Sequence, residues 1–430
     1  MSNFGIFNGV NQSENIWRRA KNVIMDGTQL YSKGPMIGVD GVYPKYIKSG
    51  KGAYVIDEDE NRFIDYTSGV GSVILGYKNS NVDMAIINQL QNGINFGLVN
   101  KLEVEVAELL CDIIPCAEKV RFFKTGAAST SAAIRLARAY TGKDLIIKGE
   151  YHGWHDWCMA ASERNAGIPG DLKNSVVYCE YNDIDSFEKV VKDNDVAAII
   201  LEPTQLEAPR DGFLSKLRML CDDNGVLLIF DEIVTGFRFS IGGAQEYFDV
   251  IPDLACFGKG IANGMPLSAV VGRSNIFDKV SDSIFMSTTF GGETLSLAAC
   301  KANIQYMLDN NVCSYLWDIG AKIKDGFNIY CQDNDIPLEC VGYPCRLLFI
   351  SKLDDKELDV NIRSLFLQEC VKGGVLMAWQ VLPMFAHCNN DILYSINVFK
   401  DAASICAEAY INNNIGGLLQ GKPVNWVEVL

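Results

Sequence analysis

The chain has 430 residues, 48% hydrophobic and 21% charged, enough apolar content for a large core and unlike a disordered chain. Fifty-three acidic residues against 38 basic ones give a formal charge of −15, which argues against a nucleic-acid backbone or an anionic membrane as the main partner. The 14 cysteines include no C-x-x-C pair and only His152, His155 and His387 could complete a metal site, so free thiols in a reducing cytoplasm are expected, with no metal.

The N-terminal "MSNFGIFNGVNQSENIWRRA" lacks the basic and apolar regions of a secretory signal, and no apolar run is long enough to span a membrane. Up to about Ser68, "YIKSGKGAYVIDEDENRFIDYTSG" predicts a hairpin. "KVRFFKTG" predicts a strand ending in a glycine turn, and "ASTSAAIRLARAYTG" a helix closed by Gly142. Strand-like runs follow in "DLIIKGE", "SVVYCEY", "VAAIILEP", "VLLIFDE", "DLACFGK" and "LSAVVG", with a helix in "LSKLRMLCDDNG". Near-continuous apolar strands between helices predict an α/β fold with a mostly parallel sheet buried on both faces. Past Thr294 the pattern changes to a long helix, the strand-rich "LECVGYPCRLLFISK" and more helices. The expected division is a segment 1–68 packing with a small domain, a large domain 69–293 and a small α+β domain 294–430.

In such sheets ligands bind beyond the carboxyl ends of the strands, which directs attention to the residue after each apolar run. "LLIFDEIVTGFR" ends a strand in Asp231 and Glu232, and "VAAIILEP" ends in Glu202. "FFKTGAAST" leads through a small-residue turn into a helix, an anion site by virtue of its free N–H groups. "KGEYHGWHDW" sets rings after another strand, and Lys259 stands between two glycines behind an apolar strand. Each fragment has an ordinary structural reading. Together they suit one cofactor, pyridoxal 5′-phosphate (PLP). A lysine can hold its aldehyde as a Schiff base, an aspartate can keep its ring nitrogen protonated, a helix turn can take its phosphate and an aromatic face can stack on its ring. Dinucleotide and P-loop fingerprints are incomplete around Gly258 and around "TGKD".

"FDEIVTGFR" followed by "PDLACFGKGIANGMPLSAVVGR" resembles the signature of class III PLP-dependent aminotransferases of fold type I, and the glutamate-1-semialdehyde aminomutase-like group among them. The resemblance runs nearly the full length, through "GAYVIDEDENRFIDYTSGVGSVILGY", "YHGWHD", "LEPT" and "TTFGGETLSLAA". It implies that Lys259 carries the Schiff base and shuttles the proton, that Asp231 pairs with the pyridinium nitrogen, and that Ile233 and Tyr151 pack on the two ring faces. It further implies that Gly126 and Ala127 amides hold the phosphate, that Glu202 lies on the side of the cofactor hydroxyl, and that Thr289 reaches a phosphate in the neighbouring subunit of a homodimer with shared active sites.

Three stretches depart from the aminomutase pattern: "TGAAST" stands where "SGTEAT" is usual, Lys33 where an arginine meets the substrate carboxylate, and "AWQVLPMF" lacks the usual glutamate. A lysine is a point charge without the bidentate fork. The expected activity is therefore transfer from an amino donor, glutamate by class analogy, to an aldehyde or ketone, a sugar-derived one among the candidates. Intramolecular aminomutase chemistry is the alternative, and a non-catalytic PLP-binding protein the remote one. Arg238 reads either as a carboxylate contact or as a structural ion pair. His152 and His155 read as site wall or catalyst, Trp154 and Trp157 as entrance or core.

Overall fold

The computed structural model describes residues 7–34, 37–205, 207–378 and 380–424; Trp379 of "AWQVLPMF" lies outside them. The chain forms two compact units, residues 1–79 with 314–430, and residues 80–313. The sequence reading sets its boundaries at 68/69 and 293/294. The later first cut reflects Tyr77, which exchanges two backbone bonds with Gly52 and donates its hydroxyl to Asp65 (2.6 Å). The later second cut reflects the helix Thr294–Asp309, whose first amide donates to the Ile94 carbonyl (2.9 Å).

In the first unit, β1 (Ile47–Lys51), β2 (Tyr54–Asp57) and β3 (Arg62–Asp65) make two successive antiparallel pairings where the sequence predicts one hairpin. The second turn is built by Asp57, whose carboxylate accepts the N–H groups of Asp59 (2.9 Å) and Asn61 (2.8 Å), a side-chain turn hidden inside an acidic run.

The second unit holds β4 (Lys119–Phe123), β5 (Leu145–Lys148), β6 (Val176–Tyr178), β7 (Val196–Leu201), β8 (Leu227–Glu232), β9 (Leu254–Phe257) and β10 (Ser268–Gly272). They form one sheet in the order β4-β10-β9-β8-β7-β5-β6, with β10 alone running against its neighbours. Every residue of β7, β8, β9 and β10 is buried, the pattern of a sheet covered on both faces. The helix Gly126–Thr141 covers it with an alanine-rich face. Its ends follow from sequence: Thr125 caps the start, and Gly142, at φ +69°, closes the end in the left-handed conformation a Cβ disfavours.

Back in the first unit, β11 (Leu338–Tyr343), β12 (Arg346–Ser351) and β14 (Gln380–Val381) form a small antiparallel sheet, while β13 (Val375–Leu376) adds in parallel to β3. Helices Lys356–Lys372 and Asn389–Ile411 pack into the same core, which also takes in Val39, Val42 and Phe63. Among the described residues no helix is long and apolar enough to cross a membrane.

Candidate active site

The strand register gathers the predicted residues of the second unit at one edge of its sheet. Asp231 lies beside Cys256 and Glu232 beside Phe257, so Lys259 emerges two residues past the end of the β8–β9 ladder. Phe123 at the end of β4 faces Ser268 at the start of β10. Gly126 therefore follows β4, Tyr151 and His152 follow β5, Glu202 follows β7, and Lys259 follows β9, all at carboxyl ends.

Asp231 is nearly buried, and both carboxylate oxygens are engaged. Oδ1 accepts the Ile233 N–H (3.1 Å), and Oδ2 lies 2.8 Å from His152 Nδ1. Because a carboxylate only accepts, Nδ1 carries the hydrogen of that bond. His152 is in turn fixed through its backbone, its carbonyl taking the Thr130 hydroxyl (2.7 Å), while its buried Nε2 has no hydrogen-bond partner among the described residues. The open choice between wall and catalyst thus resolves into a third role: His152 is the hydrogen-bond partner of Asp231. The Tyr151 phenol, partly open to solvent, is raised in pKa by partial burial and, further, by the Cys158 and Asp231 charges nearby.

The turn into the helix Gly126–Thr141 has its first two amides pointing forward. Ala128 and Ser129 are the first residues to donate back, both to the Thr125 carbonyl, which also takes the Ser268 hydroxyl (2.7 Å). Two glycines here pack tightly against one side chain. A Cβ on Gly126 would sit 3.1 Å from Ile233, and one on Gly258 would sit 3.0 Å from the same side chain. Ile233 therefore bridges the anion turn and the residue before Lys259. At Gly153, φ is +115° and a Cβ would lie 2.7 Å from that of Ala127. Gly153→Ala should cost about 2 kcal/mol or more and weaken PLP binding, read by thermal unfolding and cofactor titration; unchanged values would remove the turn from the site.

Lys259 is half-buried and adopts φ +41°, left-handed backbone that costs a residue with a Cβ about 1–2 kcal/mol. Strain of this kind persists only where the surroundings enforce it, and it clusters at functional positions.

A family model for class III aminotransferases matches residues 39–339. The chain belongs to that family. The 3-aminobutyryl-CoA aminotransferase of Cloacimonas acidaminovorans is 32% identical over 402 residues, 91% of this chain and 96% of that one. A glutamate-1-semialdehyde 2,1-aminomutase of Saccharolobus islandicus is 40% identical over 310 residues, 68% of this chain and 72% of that one. Among solved structures, the FumI protein of Sphingopyxis sp. MTA144, in its PLP internal aldimine form, superposes with a TM-score of 0.88 at 26% identity, covering 97% of this chain and 99% of that one. This class III aminotransferase is thus a PLP-dependent transaminase of fold type I.

The residues present fit the cofactor: an anion turn with free first-turn amides, a glycine-lined floor closed by Ile233, an acid held from two sides and a lysine arriving from the neighbouring strand. Glu202, at the same end of the sheet, is half-buried just beyond β7, whereas Thr289 is exposed in the segment before the helix Thr294–Asp309. Lys33 is exposed on the turn Tyr31–Lys33 of the first unit. Arg238 is buried in the aminotransferase's second unit, 1% exposed. Trp157 is core and donates to the Ser131 hydroxyl, whereas Trp154 is exposed. Two features escaped the sequence reading. Lys124, just before the anion turn, pairs with Glu293 (2.9 Å), and Asn303 holds the lysine turn. The capping pattern of "GETLS" could have signalled Glu293; nothing local signals Asn303.

Proposed function

We propose that this enzyme moves an amino group from an amino donor to an aldehyde or ketone through Lys259. The observation that carries this reading is the convergence on Ile233 of Gly126 at the helix start, Gly258 just before Lys259, and the Asp231 carboxylate. The end-to-end alignment with an aminotransferase supports transfer between two molecules. Bound PLP supplies an aldehyde that condenses with amines and a ring that accepts the electrons left when a substrate carbon loses its proton. The chain does the rest. The amides of Gly126 and Ala127 hold the phosphate at the helix start. Asp231 accepts the ring N–H, oriented by His152 and by the Ile233 amide. Ile233 would support one face of the cofactor ring and Tyr151 the other. With PLP bound, the Lys259 amine would anchor the cofactor and would be the base that holds and moves the proton of the substrate carbon. Glutamate as donor follows class analogy, and the acceptor is a sugar-derived carbonyl or another primary-amine precursor.

The test is absorbance. PLP-loaded enzyme should lose its visible band with an amino donor and regain it with the right carbonyl. A band that no amine bleaches, with cofactor bound, would refute transfer and leave a binding protein. The second reading, intramolecular transfer, is favoured by the 40% identity to an aminomutase. It requires product from glutamate-1-semialdehyde with no second substrate.

The same reading includes a homodimer in the cytoplasm. Met84, Ile87 and Leu90 expose apolar side chains along the helix Ser80–Leu90, and Leu98 and Val99 beyond it are 86% and 85% exposed. A groove of about 1010 Å³ runs beside them, lined in part by Val99, Val104, Phe122 and Met286. Apolar exposure on this scale supports the reading that a second copy covers this surface. Leu98→Glu with Val99→Glu should convert a dimer to a monomer by light scattering and weaken cofactor binding, since Thr289 is proposed to serve the partner's phosphate. A double variant still dimeric would place the interface elsewhere. All fourteen cysteines are free, most of them buried, which suits a reducing compartment.

A further inference from the structure

We infer that Asn303 is a positioning residue for Lys259, one that holds the lysine turn in its left-handed conformation. The inference rests on the reading of Lys259 as the residue that binds the cofactor. After Lys259 the chain makes a tight turn, Lys259–Ala262, followed by Asn263, again at positive φ (+43°). Gly260, Ile261 and Ala262 are fully buried, so their backbone polar groups need partners. Two of them find the same one. The Asn303 side-chain nitrogen lies 2.9 Å from the Gly260 carbonyl and 3.0 Å from the Ile261 carbonyl. A primary amide has two N–H donors, one for each carbonyl. Serine could satisfy only one, aspartate neither, and an aliphatic residue would leave both carbonyls buried and unpaired.

The rest of the Asn303 amide shows what the residue is for. Asn303 is completely buried, and its Oδ1 has no hydrogen-bond partner among the described residues. A buried polar side chain with one end unsatisfied is a poor stabiliser of a core. What it supplies is a fixed spacing between the helix Thr294–Asp309 and the two carbonyls that follow Lys259. That helix is anchored at its other end too. Glu293 caps it, accepting the Leu295 N–H (2.6 Å), and also pairs with Lys124, the residue before Thr125 and the anion turn. One rigid element therefore contacts both the turn that carries the lysine and the turn proposed to carry the phosphate. Ten residues of helix separate the two contacts, about 15 Å along the axis. The distance between the covalent anchor and the phosphate anchor is set by this brace, not by the loops alone.

The experiment compares wild-type holoenzyme with Asn303→Ala and Asn303→Ser. Borohydride reduction followed by peptide mass first identifies the lysine joined to the cofactor. The pH midpoint of the visible absorbance, the dissociation constant for PLP and the melting temperature are then measured. Losing both donors should shift the absorbance midpoint by about one unit and weaken PLP binding about tenfold, because the lysine is no longer held toward the cofactor aldehyde. Asn303→Ser, which keeps one donor, should shift both in the same direction by less. If only the melting temperature falls while the midpoint and the dissociation constant match wild type, Asn303 is merely structural and the inference is overturned. Should Asn303→Ala fail to fold, the serine variant decides by the same readouts. Tagging of a different lysine in the wild type would instead overturn the underlying reading of Lys259, a failure separate from that of Asn303.

Discussion

Lys259→Ala should reduce turnover by at least about 10⁴-fold, the combined loss of the amine that joins the cofactor and of the base that moves the substrate proton. The variant should still fold and hold PLP noncovalently. The strand that delivers the lysine is buried without it, and the proposed phosphate, ring and nitrogen contacts come from Gly126, Ala127, Ile233 and Asp231. Backbone strain offers a control. At φ +41° an alanine retains the Cβ that makes this conformation costly, whereas Lys259→Gly relieves it. The glycine variant should therefore be as inactive as alanine, with a melting temperature at or above it. Turnover, borohydride tagging with peptide mass and thermal unfolding together separate chemistry from folding. An alanine variant with more than about a hundredth of wild-type turnover would end the assignment.

Much of this site is legible in sequence because it is local. Strand ends announce themselves as an apolar run followed by a polar residue, so Asp231, Glu202 and Lys259 can be picked out one at a time. The α/β class follows from the same runs. What the sequence does not display is pairing across long separations. His152 and Asp231 are 79 residues apart, and their bond exists only because β5 and β8 finish at the same edge of the sheet. Asn303 is more hidden still: a single amide in an otherwise ordinary helix whose target is backbone carbonyl, which leaves no pattern in side-chain identity. The boundaries between the units fall later than composition places them for a related reason. Composition changes near Thr294, but the helix that starts there is tied by its first amide to Ile94 in the larger unit. Arg238 is a case where sequence leaves two readings open: a charged residue after a site loop invites a ligand, and the fold buries this one.

Asp231→Asn is the second large effect expected, a fall of about 10²- to 10³-fold in the rate of transfer with little change in donor KM. The substitution is nearly isosteric, so the loss reports charge and hydrogen-bond direction, not volume. Asparagine can keep one carbonyl oxygen on the Ile233 amide, as Oδ1 does now at 3.1 Å. Its NH2 then faces His152 Nδ1, where a carboxylate oxygen accepted at 2.8 Å. Two donors cannot meet, so His152 must move its hydrogen to Nε2, the buried nitrogen with no partner among the described residues. That leaves a donor unsatisfied, at a cost of about 1–3 kcal/mol, and on the proposed reading the ring nitrogen loses the charge-assisted acceptor that would keep it protonated. His152→Ala should do less, about 10- to 100-fold, since Asp231 keeps its charge and its bond to Ile233 and loses only orientation. The order of the two variants is the discriminating result. If His152→Ala equals or exceeds Asp231→Asn, the histidine does more than orient the acid; if Asp231→Asn transfers at the wild-type rate, the acid does not face the ring nitrogen.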